Sequence, residues 1–235
     1  MPEPFKPASL PLSLLLGHAA DAVQAVGNGV SLNQALARCP AEARPGTQAL
    51  AFHALRWLGA ANVVRRELAR KAPPPAVDAL LLTALALLWP PGGLPYADHV
   101  LVDQAVSAAR RRLPASAAFI NAVLRRFIRE REALVATALE DPGARWNHPA
   151  WWLERLRRDW PDDWAAIAVA DNDHPPMTLR VNARRDSAAG YVTRLAAAGL
   201  EAEAGPGQVV RLRRPVPVQR LPGFAAGDVS VQDEA

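Results

Sequence analysis

The sequence predicts a mainly α-helical protein in which an all-α bundle is followed by a small α+β domain. In the first 142 residues, apolar positions recur at helical spacing, and short turn signals separate one segment from the next. The run LLLTALALLW at 80–89 is apolar on every side, which is typical of a helix buried in the middle of a bundle. Prolines, a glycine and a tryptophan interrupt this pattern at 141–149, and strand signals follow further on. We therefore predict domains at 1–142 and 143–227.

The individual elements follow from the same patterns. In the first domain, helices are predicted at 12–26, 31–38, 47–71 with a break near Gly59, 78–89, 96–113 and from 114 onward. In the second domain, helices are predicted at 151–160, 161–172 and 187–200, and strands at 177–185, 208–219 and 228–232. Within the first strand, Leu179 and Val181 are expected to face inward and Arg180 outward.

The amino-terminal segment has an apolar patch similar to that of a secretory signal, but it reads better as a first core helix. Pro11 interrupts the patch, and the run Leu14–Leu16 continues at helical spacing into the following residues. The apolar run at 80–89 is far shorter than the ~20 residues that a membrane span needs. No membrane partner is predicted.

Positive charge is concentrated in the first domain. The chain has a net charge of +4, and residues 1–140 contain fifteen basic and ten acidic residues, whereas 141–235 contain twelve and thirteen. Lys6 and Lys71 are the only lysines, so nearly all the basic residues are arginines, whose planar guanidinium binds phosphate in two places. This composition favours a nucleic-acid partner, although a genome rich in arginine codons would give the same count.

Metal and thiol chemistry are not indicated. Cys39 is the single cysteine, which excludes a disulfide within the chain and favours a reducing cytoplasm. It precedes a proline between short helices, so we predict a small buried residue without chemistry. None of the five histidines makes a metal-ligand spacing with another, and no metal site is predicted. His148 and His174 each precede proline and are expected to be structural or exposed.

The segment FINAVLRRFIRE, residues 119–130, carries the candidate RNA-binding site. At about 100° per residue, an apolar set falls on one broad face of a helix: Phe119, Ile120, Val123, Leu124, Phe127 and Ile128. Asn121 lies at the border of that face, Arg126 at its edge, and Arg125 and Arg129 opposite. Three more arginines end the preceding helix, and the orientation of that helix decides whether the two sets meet. The six candidates for phosphate contact are Arg110, Arg111, Arg112, Arg125, Arg126 and Arg129. An equal alternative is a solvated face near a helix C-terminus, where the helix dipole favours cations.

Two further groups in the second domain could contact RNA. Arg180, Arg184 and Arg185 flank the first predicted strand and could meet phosphate, with simple solvation as the equal alternative. Four tryptophans could stack on bases, but their spacing around a proline turn favours a small core: Trp151, Trp152, Trp160 and Trp164.

Several segments, in the same order, resemble those of a known family. FINAVLRRFIRERE is similar to the (F/L)xNAVLRRFxRE stretch of the NusB-like domain that opens the bacterial 16S ribosomal RNA cytosine-C5 methyltransferases called RsmB or Sun. QALAFHALRWLGAANVVRREL, ALLLTALALLWP and VDQAVSAARR resemble the helical blocks that precede it. HPAWWLERLRRDWP is similar to the family's HPxWLxxRW, NDHPPMTLRVNARRDS to its NxxPPxxLRVN, and LPGFAAGDVSVQDEA to its LPGFxxGxxxVQDxA.

The resemblance implies a NusB-like bundle that binds 16S ribosomal RNA, followed by a small α+β unit that leads into a Rossmann-like catalytic domain. That catalytic domain uses S-adenosylmethionine and would be a partner in the same polypeptide. Residues 228–235 resemble its beginning. Its glycine-rich loop, DxCAAPGGKT, has no counterpart here, so we expect no catalytic or cofactor-binding residue in this chain and no methyl transfer by it alone. The alternative is a cytoplasmic, non-enzymatic NusB-like factor that binds RNA and a ribosomal protein in transcription antitermination.

Overall fold

The computed structural model describes residues 10–90, 96–173 and 175–233. It confirms a mainly helical chain, with a helical bundle followed by a small four-stranded sheet. The two compact units meet in the chain between Asn172 and Asp173. His174 and part of the loop predicted at 89–93 lie outside the described residues. Within the described ranges, no helix combines the length and apolar character needed to cross a bilayer.

The first unit is a bundle built around α5. Its helices are α1 Leu12–Gly27, α2 Leu32–Ala37, α3 Arg44–Arg56, α4 Leu58–Leu68, α5 Pro75–Leu87, α6 Asp98–Arg112, α7 Ala117–Arg129, α8 Arg131–Ala138, α9 Pro142–Trp146, α10 Ala150–Asp159 and α11 Trp164–Ala170. Helix α5 packs against α1, α3, α4, α6 and α7. Leu81 and Leu85 on α5 are almost fully buried. The central buried helix expected from the apolar run is therefore confirmed.

Helix α9 packs on the start of α4. Asn147, which follows α9 in the left-handed conformation (φ 53°), accepts a hydrogen bond from the backbone N–H of Ala60 at 2.9 Å. This bond satisfies one of the amides left free at the start of α4, where Trp57 offers no side-chain cap. Gly59 faces the same contact and has no room for a side chain. The side chain of Asn147, a residue far away in the sequence, therefore caps the N-terminus of α4.

The division between compact units lies later than the predicted domain boundary at 142/143. Helices α10 and α11 enclose a small core of their own with Trp146, and Asn172 donates to the carbonyl oxygen of Trp146 at 2.9 Å. Helix α9 packs on α4, and residues 143–172 belong to the same compact unit as the bundle. The assignment of 143–227 to one domain stays a prediction.

The second unit is an antiparallel sheet in the order β2-β3-β1-β4 with one described α-helix and a short 3-10 helix at Val218–Arg220. Its elements are β1 Met177–Val181, α12 Ala188–Ala197, β2 Ala202–Ala204, β3 Val209–Leu212 and β4 Val229–Val231. Leu179 and Val181 are buried with Tyr191 and Leu195 of α12, as the alternation in β1 predicted, and Arg180 is exposed. Strand β4 pairs with β1, so residues 229–231 complete this sheet, although the resemblance predicted that 228–235 begin the next domain.

A tight turn, which we call the glycine turn (residues 221–228), anchors the loop after β1. Gly223 and Gly227 both have positive φ, +71° and +76°. Asn182 donates its backbone N–H to the carbonyl oxygen of Asp228 at 2.8 Å, and its side-chain amide donates to the carbonyl oxygen of Gly227 at 3.0 Å. The Tyr191 hydroxyl donates to the carbonyl oxygen of Pro222 at 2.9 Å. The two motifs, RVNARRD and LPGFAAGD, are thus two halves of one structural contact.

Asp228 lies at the centre of this contact. Its carboxylate accepts from Arg194 at 2.7 Å and from Arg185 at 3.0 Å. Hydrogen bonds from Arg194 and then Arg185 hold the pKa of Asp228 below its usual range. A carboxyl whose folded pKa is depressed contributes stability above its unfolded pKa, and this contribution is lost as the pH falls through the folded value.

Asp228→Asn is therefore expected to lower the stability of the second unit at pH 7 and to flatten its loss of stability below about pH 4, the usual range of an aspartate. Urea unfolding between pH 2 and 7, followed through NMR resonances of β1, measures both effects. Asp162→Asn, at an exposed carboxylate with no ion pair among the described residues, is the control. If the free energy of unfolding falls as steeply at acid pH in Asp228→Asn as in the unchanged protein, the stabilising role of the Asp228 carboxylate is contradicted.

Candidate RNA-binding surface

An open groove runs between α6 and α7 and encloses about 860 Å³. Val102, Val106 and Ile128 form an apolar floor. Charged and polar residues of both helices also line the groove: Asp98, His99, Asp103, Arg110, Asn121, Arg125 and Arg129. We call this feature the α6–α7 groove.

Helix α7 has the amphipathic geometry that its sequence predicts. Ile120, Leu124 and Phe127 are fully buried, and Arg125 and Arg129 are exposed on the groove side. The inward position predicted for Phe119 is wrong, because this residue is 40% exposed. At about 100° per residue, Phe119 lies roughly 90° from the centre of the buried face, which places it at the margin.

Three of the predicted arginines meet in the α6–α7 groove. Arg125 donates its Nε–H to Asn121 Oδ1 at 3.0 Å, which orients the guanidinium and leaves its terminal N–H groups available. Arg110 and Arg129 are exposed and form no hydrogen bond or ion pair with another described residue. Chain reversal between α6 and α7 places Arg110, near the end of one helix, on the same groove as the arginines of the next.

The other three predicted arginines already bind protein groups. Arg111 donates to Ser13 Oγ at 2.8 Å. Arg112 donates to the carbonyl oxygen of Gly17 at 2.6 Å and to both carboxylate oxygens of Asp21 at 2.6 and 2.8 Å. Arg126 pairs with Glu130 at 2.9 Å along α7. Arg111 and Arg112 thus bind α6 to α1, and their part in RNA binding stays a prediction, as does that of Arg126.

The groove has more free positive than negative charge. Asp98 is paired with Arg131 at 2.8 Å, so its charge is compensated inside the first unit. Asp103 accepts a hydrogen bond from Gln104 at 3.0 Å and has no cationic partner among the described residues. Sequence reasoning did not single out either aspartate, because residues on α6 are assigned to the groove only when the packing of α6 on α7 is known.

The predicted arginines of the second unit lie on β1 and in the loop after it. Arg180 is opposite Val209 and Ser230 in the sheet register, and its side chain is exposed. The Arg184 side chain is exposed and has no partner among the described residues. Both positions are accessible to phosphate, and RNA contact by them stays a prediction.

The tryptophan-rich helices form a core that includes only part of the predicted set. Trp152 and Trp164 are partly buried with Leu153, Leu156 and Ala168. Arg157 stacks over the Trp164 ring at 4.3 Å. The prediction of a core position is wrong for Trp151 and Trp160, which are 66% and 56% exposed.

The remaining predictions concern thiol and metal chemistry. Cys39 is buried and lies 3.5 Å from Thr47 Oγ1, as expected of a small packed residue. His148 is partly buried, and its ring contacts the carbonyl oxygen of Trp146 and the carboxylate of Asp171, which agrees with a structural role. Over the described ranges, no group of three His, Cys, Asp or Glu side chains has a metal-binding arrangement.

Comparison with known families accounts for both units. Residues 17–129 match the NusB family, and residues 148–219 match the ferredoxin-like domain of the RsmF/B-like methyltransferases. The fold and the two matches define a class in which a NusB-type bundle precedes a methyltransferase-associated ferredoxin-like domain. The chain belongs to the ribosomal RNA small subunit methyltransferase B family.

Individual relatives match most of this chain. It is 39% identical to the ribosomal RNA small subunit methyltransferase B of Pseudomonas syringae pv. tomato and 40% identical to that of Pseudomonas putida, in each case over 92% of this chain. The matched parts make up 50% and 52% of those relatives, so the chain spans about half their length. The crystal structure of PH0851 has the same fold over 98% of this chain and 55% of its own, with a TM-score of 0.61 and 16% identity.

Proposed function

We propose that this chain is the RNA-binding portion of a cytoplasmic, S-adenosylmethionine-dependent 16S ribosomal RNA cytosine-C5 methyltransferase. In this proposal the α6–α7 groove holds ribosomal RNA phosphates and positions the substrate for a catalytic domain elsewhere in the longer protein. Arg110, Arg125 and Arg129 carry the proposal, because they converge on one groove and none is neutralised by a described carboxylate. Phosphate contacts of this kind position an enzyme without reading sequence.

The proposal assigns no step of methyl transfer to the residues of this chain. Gly205 and Gly207, which flank a proline, lie in the turn between β2 and β3, where Gly205 N–H bonds the carbonyl oxygen of Val209 at 2.8 Å. No helix begins at this turn to present its amides to a cofactor. In this proposal the cofactor binds to the part of the relatives' length that this chain does not span, about half of it. The ferredoxin-like match over 148–219 favours this role over that of an antitermination factor, whose class does not need such a domain.

The double variant Arg125→Glu/Arg129→Glu is expected to bind single-stranded ribosomal RNA fragments at least about tenfold more weakly at low salt. It removes two phosphate contacts, so the slope of log affinity against log salt should fall in magnitude by about 1.4, or 0.7 per contact. Fluorescence anisotropy with labelled RNA over a salt series measures both quantities.

The matched control compares single variants at neighbouring positions. Arg125→Glu and Arg126→Glu change the charge equally, but Arg125 faces the groove and Arg126 pairs with Glu130 outside it. The larger loss is expected from Arg125→Glu. An unchanged salt slope in the double variant, or equal losses in the two single variants, would contradict the proposed site.

A further inference from the structure

Helix α10 presents an exposed aromatic ring that is followed, on the same face, by two exposed arginines. Trp151, Arg155 and Arg158 are spaced i, i+4 and i+7, so they lie on one face of the helix. The side chains of Arg155 and Arg158 are 63% and 68% exposed, and Trp151 is 66% exposed. The apolar residues of α10 that form its core, Leu153 and Leu156, lie on the other side and are buried. We call the exposed set the Trp151 face.

The Trp151 ring is held in place by its neighbour. Its centroid is 5.8 Å from that of Trp152, with an angle of 70° between the ring planes. Trp152 belongs to the small core of α10 and α11. This contact holds the Trp151 indole in place. Because about two thirds of Trp151 is exposed, part of its ring surface remains open to solvent. A braced ring loses little conformational entropy when a planar ligand stacks on it.

The two arginines share one carboxylate. Asp159 bonds Arg158 at 2.9 Å and Arg155 at 3.3 Å, so two guanidinium groups are kept side by side with a net positive charge. Along the helix axis, Arg155 and Arg158 lie about 6 and 10 Å from Trp151. That spacing places cations on one side of the ring, where phosphates that flank a stacked base would lie. Glu154, three residues after Trp151, lies on the same side of the helix, and the net charge of +1 of the whole helix includes Arg157, which stacks on Trp164.

The composition of the Trp151 face suits a nucleic acid better than a protein. A protein-docking patch needs a contiguous apolar surface of several hundred Å². On this face of α10, Trp151 is the exposed aromatic residue and charged side chains adjoin it, since the leucines of the helix are buried. A nucleotide base, by contrast, stacks on one ring while its backbone meets the neighbouring cations.

We infer that the Trp151 face is a second RNA contact, in which an unpaired base stacks on Trp151 and the flanking phosphates meet Arg155 and Arg158. The ligand class is single-stranded RNA, because a base inside a duplex cannot offer its face to the ring. The inference rests on the proposed function in assuming an RNA partner, but it adds a different mode of contact. The α6–α7 groove offers charge, whereas the Trp151 face offers an aromatic surface.

The test compares Trp151→Ala and Trp151→Phe on two single-stranded RNA oligonucleotides, one normal and one with abasic sites but the same phosphates. Trp151→Ala is expected to weaken binding to the normal strand at least about fivefold, the lower limit for loss of one stacked base. Trp151→Phe should retain most of the affinity. On the abasic strand, Trp151→Ala and the unchanged protein should bind equally.

Phe52→Ala is the control, because Phe52 is 48% exposed on α3 and lies outside both surfaces. Circular dichroism establishes that each variant is folded. Equal binding of the normal strand by Trp151→Ala and the unchanged protein would overturn the inference, as would an equal loss on both strands. Failure of the proposed function looks different, since Arg125→Glu/Arg129→Glu would then leave both strands unaffected.

Discussion

Gly59→Ala is expected to destabilise the helical bundle by about 3 kcal/mol or more, the upper range for overpacking. A Cβ at this position would overlap the carbonyl oxygen of Gly143 and lie 3.1 Å from the Asn147 Cα. Both are backbone atoms, so α4 and α9 must separate to accept the methyl group. Separation would also break the bond between Asn147 and Ala60, and a buried amide would lose its partner.

Thermal unfolding followed by tryptophan fluorescence measures this effect, since all seven tryptophans precede residue 173. The melting temperature should fall by roughly 6–12 °C, at 2–4 °C per kcal/mol for a chain of this size. Gly27→Ala is the matched control, because nothing lies within 4 Å of a Cβ added at the end of α1. It is expected to change stability by less than about 1 kcal/mol. Similar melting temperatures for the two variants would show that the α4–α9 contact is not tight.

Gly223→Ala is expected to destabilise the second unit by about 3 kcal/mol or more, as the sum of backbone strain and overpacking. The φ of +71° disfavours any residue with a Cβ. The added methyl group would also overlap the Asp228 carboxylate and lie 2.8 Å from Arg194 Nη2. The carboxylate would have to leave its two arginines, so the glycine turn would release the loop after β1.

Gly227→Ala separates the two causes. Gly227 has a similar φ, +76°, but a Cβ there meets nothing within 4 Å. Its replacement should therefore cost only the backbone strain, about 1–2 kcal/mol. Amide hydrogen exchange in β1 measures the stability of the second unit, which contains no tryptophan. Equal losses in the two variants would mean that the overlap with Asp228 contributes nothing.

The sequence predicted features that depend on local periodicity and missed those that depend on packing. The buried and exposed faces of α7 follow from helical spacing alone. The placement of Arg110 on the same groove as Arg125 and Arg129 does not follow from spacing, since it depends on how the chain turns between α6 and α7. The same limit applies to Asn147, whose capping role involves a helix far away in the chain.

Two errors of the sequence analysis have local physical causes. Strand β2 was not predicted, because its sequence AEA has neither β-branched nor aromatic residues and it is formed only by pairing with β3. The tryptophans of α10 were assigned to a core as one set. Trp151 and Trp152 are adjacent, however, so their side chains diverge by about 100° and cannot both face the same core.

The pairing of β4 with β1 restricts how this polypeptide can be divided for separate expression. A protein cut after Asp228 would retain the glycine turn but lose the strand that pairs with one edge of β1. The unpaired amides and carbonyls would then be available to a second molecule, which favours edge-to-edge aggregation. A cut that preserves the small unit must therefore lie beyond Val231.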